Sequence, residues 1–320
     1  MIDAITIGES MVLLDPTEDG PLDAVPGYRQ RVAGAESNFA IALARLGLRA
    51  AWVSRLGADP FGRLIRRCMT SEGVEVHAVE DETSPTGIYF KERLAAERVM
   101  VYYYRTGSAA SRLAPEDVPE GLVRRSRLLH FTGISLAVSG RLPEATLHAV
   151  ALARRHGLLI SFDPNLRPKL WGVDEARRSL GPVLRDLDLL LTGEREIQLL
   201  TGETDWRRLL RELHRRRIHI VVIKRGAAGA LVASDERIVV VPPADVGRVV
   251  DSVGAGDAFN AGFVAGHLRG LDLEQCATLG GALGAAALAG TGDYETIPGW
   301  AEAKELAARV RVRELLEGEP

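Results

Sequence analysis

Asp251-Ser-Val-Gly-Ala-Gly-Asp257-Ala-Phe-Asn260 is the stretch that decides the interpretation of this 320-residue chain. Its three consecutive small residues, Gly254, Ala255 and Gly256, allow a ligand to come close to the backbone, and apolar residues follow at helical spacing. The stretch therefore predicts a loop that leads into a buried helix near Gly254. Free N–H groups and the helix dipole at such a start favour an anion such as a phosphoryl group.

Asp257 lies in the first turn of that predicted helix. A carboxylate at this place could accept a proton from a hydroxyl group that attacks the phosphorus atom. An acid in the first turn is also common for structural reasons, because it interacts favourably with the helix dipole. Spacing alone leaves both interpretations open.

Elsewhere, short apolar runs alternate with amphipathic, helix-like segments. The runs lie at residues 4–8, 51–54, 128–132, 158–163, 187–192 and 218–224, and the helix-like segments at 37–46, 61–72, 143–156, 174–184 and 206–216. This alternation predicts an α/β fold with a mostly parallel sheet that helices cover on both faces. Two segments, about 11–32 and 84–108, look like strands joined by loops, so we expect a small extra β-sheet that forms a lid. We expect one domain over residues 1–320.

Polar or glycine-rich residues follow three of the predicted strands. They are Asp163-Pro-Asn-Leu-Arg167, Thr192-Gly-Glu194 and Lys224-Arg-Gly226. In an open parallel sheet, ligands bind at the carboxyl ends of the strands. These three segments are therefore expected to face a ligand.

The composition excludes several classes of protein. A net charge of −3 gives no overall attraction to nucleic acid or to an acidic membrane. Cys68 and Cys276 are far apart and have no metal-binding companions, so neither a disulfide framework nor a zinc site is expected. The acidic residues Asp3 and Glu9 in the first apolar segment argue against a signal peptide, and we expect a cytoplasmic location.

The 251–266 stretch resembles the C-terminal signature of the PfkB, or ribokinase-like, carbohydrate kinases, and the resemblance extends over the whole chain. Its N-terminal counterpart is Ala33-Gly-Ala-Glu-Ser-Asn-Phe-Ala40, with Gly47 and Gly57 at the family's intervals. Glu36 stands where Gly, Ala or Pro is usual, which suggests a subgroup. The resemblance implies a three-layer sandwich with a mostly parallel central sheet and a β-sheet lid, and ATP-dependent phosphorylation of a sugar.

The resemblance also implies roles for the matching residues. Asp257 would be the catalytic base, and Gly254, Ala255 and Gly256 would form the anion hole. The nucleotide loop would comprise Lys224, Gly226 and Gly229, with Gly254 and Gly256 also contacting the nucleotide. ATP and Mg²⁺ would be required, and Asp251 with its neighbours resembles the family's monovalent-cation loop, which leaves potassium activation open.

Two departures concern the nucleotide and its metal. Glu196 is retained from an Asn-x-x-Glu motif that positions magnesium through water, but Gly193 replaces the asparagine. Gly281 stands where many relatives carry an asparagine near the adenine, so that contact is not carried over.

The expected sugar is an acid. Arg105 and Arg167 lie in the lid and strand-end segments, and guanidinium groups donate paired hydrogen bonds to a carboxylate. This set resembles the 2-keto-3-deoxygluconate kinases of the family. The resemblance implies further substrate contacts. Gly34 and Asn38 would contact sugar hydroxyls, Asp257 would contact the reacting hydroxyl, and the pocket walls would be Tyr89, Tyr103 and the backbone near Ile134. The two tyrosines could equally serve packing.

Other functions stay open from the sequence. Within the family they are a fructokinase, a 5-dehydro-2-deoxygluconokinase or a nucleoside kinase. Outside catalysis, the chain could be a sugar or nucleotide sensor built on the same fold, although the intact Asp257 and anion loop weigh against it. Exposed lid strands also predict pairing between identical subunits.

Overall fold

The computed structural model describes residues 1–95, 98–185, 187–234, 237–247, 249–251 and 253–310. Ser252 of the glycine-rich stretch and residues 311–320 of the expected domain lie outside the described residues.

The strands form two sheets of different size. Those of the larger sheet are β1 (Ile2–Ile7), β4 (Ala50–Gly57), β5 (Glu75–Asp81), β8 (Ser126–Thr132), β9 (Leu159–Asp163), β10 (Leu187–Gly193), β11 (Ile218–Lys224), β12 (Ala230–Ala233) and β13 (Ile238–Val241). Those of the smaller sheet are β2 (Met11–Pro16), β3 (Tyr28–Ala33), β6 (Ile88–Ala95) and β7 (Arg98–Tyr104).

The larger sheet has the order β13-β12-β11-β10-β9-β8-β1-β4-β5. Neighbouring strands from β11 to β5 are parallel, whereas β12 and β13 are antiparallel. The register aligns Thr132 with Asp163 and Gly193 with Lys224, so the strand ends with polar residues meet at one edge of the sheet.

Helices cover both faces of the larger sheet. They are α1 (Ala35–Arg45), α2 (Pro60–Ser71), α3 (Glu120–Arg124), α4 (Gly133–Ala137), α5 (Leu142–His156), α6 (Val173–Leu180), α7 (Glu194–Thr201), α8 (Trp206–Arg215), α9 (Ala255–Leu268), α10 (Leu273–Leu288) and α11 (Trp300–Ala307). Side chains alternate between the faces along each strand: Leu190 packs in one core, while Leu189 and Leu191 pack in the other. The expected three-layer α/β sandwich is confirmed.

The smaller sheet has the order β3-β2-β6-β7 and is built from the two segments expected to form a lid. Its β2 and β6 are parallel, and both outer pairs are antiparallel. Met11, Leu13, Ala33 and Tyr89 form a small core of their own. We call this sheet the lid and the rest of the described chain the body.

Some predicted boundaries were wrong. The helix expected over 174–184 ends at Leu180, because Pro182 has no N–H with which to extend the hydrogen bonding. The edge strands β5 and β13 and the neighbouring strand β12 were missed, since they are short or alternate apolar with charged residues. Among the described residues, no helix is long and apolar enough to cross a membrane.

Candidate active site

The glycine-rich turn before α9 requires a left-handed residue. Gly254 has a φ of 82°, and a Cβ there would lie 2.2 Å from the carbonyl oxygen of Asp293. The side chain of Asp251 supports the turn, because its Oδ1 accepts the N–H of Val253 at 3.0 Å. The helical ladder starts with Ala258 donating to Gly254, so the N–H groups of Ala255, Gly256 and Asp257 precede it, as in any helix start. We call Gly254–Gly256 the anion loop.

Asp257 lies directly after the anion loop and is 8% exposed. Asn38 Nδ2 donates to its Oδ2 at 3.0 Å, and Asn165 Nδ2 lies 3.5 Å from its Oδ1. Burial raises the pKa of the Asp257 carboxyl to about 7, although the hydrogen bond from Asn38 acts to lower it. A carboxylate with this pKa is suited to act as a base near neutral pH.

Two cavities flank the anion loop. The first, of about 700 Å³, lies between lid and body; Tyr89 and Tyr103 of the lid face Arg167 and Asp257 across it. The second, of about 510 Å³, is bordered by Gly226, Gly229 and Gly281. We call them the lid cavity and the loop cavity. Lys224 and Gly256 line both, so the two cavities adjoin beside Asp257.

The loop cavity needs glycine at position 229. Gly229 has a φ of 82°, and a Cβ there would lie 2.0 Å from the carbonyl oxygen of Val241. At Gly281 a Cβ would meet nothing within 4 Å, so the position of the absent asparagine is open space. The lining is mostly apolar and could accept a flat aromatic base.

Lys224 is held in place by buried partners. Its ammonium donates to Asp163 Oδ2 at 2.8 Å and to Asn260 Oδ1 at 3.0 Å, and Asn260 Nδ2 donates to Asp163 Oδ2 at 2.6 Å. Although burial opposes it, the charge of Lys224 lowers the pKa of Asp163. The cation is therefore fixed where the two cavities adjoin.

The residues expected to bind the sugar are placed in two groups. Tyr89, Tyr103, Arg167 and Asp257 line the lid cavity, whereas Gly34, Asn38, Arg105 and Ile134 do not line it. All four have identified partners, and the N–H of Gly34 donates to Asn38 Oδ1 at 3.4 Å. The guanidinium of Arg105 forms an ion pair with Glu9, Asn38 bonds to Asp257, and the N–H of Ile134 donates to Thr132 Oγ1 at 3.1 Å.

Gly34 precedes α1 in extended backbone, and its lack of a side chain is required by space. A Cβ there would lie 2.4 Å from the carbonyl oxygen of Glu9. The glycine thus lets α1 approach the segment that joins β1 to β2, which carries the partner of Arg105.

Glu36, which stands where the resembling family usually has Gly, Ala or Pro, is buried among hydrogen-bond donors. It is 1% exposed, and its Oε1 accepts hydrogen bonds from Thr132 at 2.8 Å and Ser135 at 2.7 Å. Burial raises the pKa of its carboxyl. The carboxyl fills the space beside Gly8, where a Cβ would lie 2.4 Å from Glu36 Cδ.

Glu196 lies in the first turn of α7, beside the lid cavity. Its Oε1 accepts the N–H of Leu166 and its Oε2 that of Gly193, both at 2.9 Å. Burial raises the pKa of Glu196, and the negative charge of Asp163 adds to the rise. The described residues hold no group of three or more potential metal-binding side chains. The carboxyl of Glu196 at the lid cavity fits a magnesium ion held mainly by phosphates and water, which is how Mg²⁺ usually binds with nucleotides.

Sequence reasoning missed Lys91 and Asp293. Lys91 Nζ donates to Asp251 Oδ2 at 2.9 Å and to Asp293 Oδ1 at 3.3 Å. The signal that could have found Lys91 is its spacing, since it lies two residues after Tyr89 and therefore on the same face of β6. Asp293 lies in a loop with no periodic pattern, and only the fold brings it to the site.

Comparisons with known proteins show what this chain is similar to. The model of the pfkB family carbohydrate kinase matches residues 1–300. A 2-dehydro-3-deoxygluconokinase from Bacillus subtilis is 37% identical over 303 residues, 93% of each chain. Another, from Thermoproteus tenax, is 37% identical over 311 residues, 96% of this chain and 94% of its own. A putative Ribokinase II from E. coli, solved with ATP and Mg²⁺, has a TM-score of 0.90 and 26% identity, over 97% of this chain and 100% of its own.

Proposed function

Because this chain belongs to the pfkB family of carbohydrate kinases, we propose that it transfers the terminal phosphoryl group of ATP to the terminal hydroxyl of 2-keto-3-deoxygluconate. The observation that carries the proposal is the position of Asp257. This buried carboxyl, with a pKa raised to about 7, lies where a lid cavity and a loop cavity adjoin. Relatives 37% identical to this chain are 2-dehydro-3-deoxygluconokinases, the same activity under its alternative name.

In the proposed reaction Asp257 acts as the base. Its ionised carboxylate accepts the proton of the sugar hydroxyl as that oxygen attacks the phosphorus atom. Asn38 orients the carboxylate by donating to Oδ2. The N–H groups of Gly254, Ala255 and Gly256 stabilise the negative charge on the transferring phosphoryl group.

The loop cavity is the proposed nucleotide site. Gly226 and Gly229 let the backbone approach ATP, and Lys224 presents a fixed positive charge towards the phosphates. Mg²⁺ would neutralise the polyphosphate, with Glu196 acting on it through water. ATP as donor is consistent with a cytoplasmic location, which stays a proposal.

The lid cavity is the proposed sugar site. Arg167 would donate to the carboxylate of the sugar acid, and Tyr89 and Tyr103 would form the wall on the lid side. Arg105, bound to Glu9, would reach the sugar only if that ion pair opened or rearranged. Gly34 and the backbone at Ile134 would contribute from behind the cavity.

Assays of ADP release over a panel of sugar acids, ketohexoses and nucleosides test the function. We expect turnover with 2-keto-3-deoxygluconate and little with neutral ketohexoses or nucleosides. Asp257→Asn should lower kcat by about 10³-fold or more with a modest change in substrate binding, because the base is lost while the cavity stays. Turnover with neutral sugars but not with 2-keto-3-deoxygluconate would contradict the proposed substrate.

Asp174→Asn is the matched control for the base. Asp174 also lies in the first turn of a helix, but its side chain is 84% exposed and remote from the cavities. It should keep the activity of the unmodified protein. An Asp257→Asn variant as active as this control would contradict the assignment of the base.

A further inference from the structure

A buried lysine of the lid is bound to two carboxylates of the body. Lys91 is 1% exposed, and its ammonium lies 2.9 Å from Asp251 Oδ2 and 3.3 Å from Asp293 Oδ1. Burying an ammonium is costly unless opposite charges and hydrogen bonds compensate it. Burial likewise raises the pKa of Asp293, and Lys91 opposes that rise. The three charges therefore depend on one another.

One side chain connects this group to the catalytic base. Asn38 Nδ2 donates to Asp293 Oδ2 at 3.3 Å and to Asp257 Oδ2 at 3.0 Å. An amide nitrogen carries two hydrogens, so both bonds can be made at once. A continuous path of polar contacts thus runs from Lys91 through Asp293 and Asn38 to Asp257.

The same two residues support the anion loop, Asp251 through its carboxylate and Asp293 through its backbone. Asp251 accepts the N–H of Val253, and the carbonyl oxygen of Asp293 lies where a side chain on Gly254 would be. Without a cation between them, the half-buried carboxylate of Asp251 and the buried carboxylate of Asp293 would repel each other. The contact between the Asp293 segment and Gly254 would then loosen.

We infer that Lys91 is a positioning residue that supplies an internal monovalent cation to the active site from the lid. Its ammonium holds Asp251 and Asp293 together, keeps the anion loop in place, and through Asn38 orients the carboxylate of Asp257. The inference rests on the proposed kinase function. Asp251 is the charged side chain of the loop that resembles a monovalent-cation site, and it already has Lys91 as its partner. We therefore expect turnover without added potassium.

The charges around the path decide the sign of a pH effect. Those acting on Asp257 are Asp163, Arg167 and Lys224, and those acting on Asp293 include Lys91 and Asp251, with the Tyr89 hydroxyl also close. Removing Lys91 leaves excess negative charge next to Asn38. Added negative charge disfavours an ionised Asp257, so its protonation should extend to higher pH.

Two substitutions of Lys91 distinguish the loss of its charge from the loss of its side-chain volume. In Lys91→Ala and Lys91→Met, we expect kcat to fall about 10-fold or more and the acidic limb of the kcat–pH profile to move up by about half a pH unit or more. Ammonium or methylammonium chloride should restore part of the rate in Lys91→Ala, which leaves space for the ion. The same salts should have little effect in Lys91→Met, which fills that space.

A second readout needs neither ATP nor sugar. Ammonium chloride, compared with sodium chloride at equal ionic strength, should raise the Tm of Lys91→Ala but not of the unmodified protein. Arg31→Met is the matched control: Arg31 joins the lid to Glu295 and Thr291 of the body without reaching the Asp293–Asn38 path. Its acidic limb should stay in place.

Unshifted acidic limbs in both Lys91→Ala and Lys91→Met would overturn the inference, as would strong potassium dependence of the unmodified protein. If neither variant folds, Lys91→Arg, which keeps the cation, should retain the original acidic limb, and a shifted limb there would also overturn the inference.

Failure of the proposed kinase function can be distinguished from failure of the inference about Lys91. In that case the unmodified protein phosphorylates no sugar, while the effect of ammonium on Tm still reports on Lys91.

Discussion

At the scale of single residues, the burial of Asp257 has a thermodynamic cost. Its folded-state pKa of about 7 lies above the ordinary value of 3.8, so the folded protein holds this proton more tightly than the unfolded chain. The stability that this group contributes is complete below about pH 4, declines as the pH rises towards 7, and stays lost above it. In the proposed mechanism turnover has the opposite dependence, because Asp257 must be ionised to act as the base.

We therefore expect Asp257→Asn to be inactive yet more stable at alkaline pH. At about pH 8 its free energy of unfolding should exceed that of the unmodified protein by at most about 4 kcal/mol, and the difference should shrink towards about pH 4. Chemical denaturation at both pH values measures it. Asp174→Asn, with its exposed carboxyl, should show no such gain, and an Asp257→Asn variant less stable at both pH values would refute the expectation.

At the scale of elements, the start of α9 depends on the shape of one turn. Gly254→Ala would combine a left-handed backbone with a contact of 2.2 Å to the carbonyl oxygen of Asp293, so the anion loop must move. We expect kcat to fall about 10²-fold or more, comparable to the loss of an oxyanion donor.

Gly270→Ala isolates the backbone effect. Gly270 also has a left-handed φ, of 76°, but a Cβ there would meet nothing within 4 Å. This variant should lose about 1 kcal/mol of stability and keep its activity. Equal activities of the two variants would show that the Asp293 contact is unimportant for the anion loop.

The elements also show what could be predicted from the sequence. Buried parallel strands such as β10 and β11 are apolar on both faces, and the turn before α9 carries its own glycine pattern, so both were found. β5 was missed because an edge strand has one exposed side and carries polar residues. Pairs such as Lys91 and Asp293, 202 positions apart, come together only through the packing of lid on body, which no local pattern encodes.

At the scale of the whole molecule, we propose that identical subunits pair through their lids. β7 is an edge strand of the lid, and its Tyr104 is 65% exposed. Edge strands carry unpaired backbone groups that can accept another chain. Tyr104→Asp should therefore shift the protein towards monomer, measured by size-exclusion chromatography with light scattering.

Leu147→Asp is the control for pairing. Leu147 is 48% exposed, on a helix of the body instead of the lid. It should leave the molar mass unchanged. A monomeric unmodified protein, or equal masses for both variants, would contradict lid pairing.

The contact of Glu36 with Gly8 restricts how this active-site region can evolve. While Glu36 is present, a larger residue at position 8 has no space, since its Cβ would lie 2.4 Å from the carboxyl carbon. Replacing Glu36 with a small residue removes that obstacle, leaving the Ser135 hydroxyl, which can rotate, as the remaining close neighbour. We therefore expect substitutions at positions 8 and 36 to be non-additive: a larger residue at position 8 should cost less stability when residue 36 is small than when it is Glu.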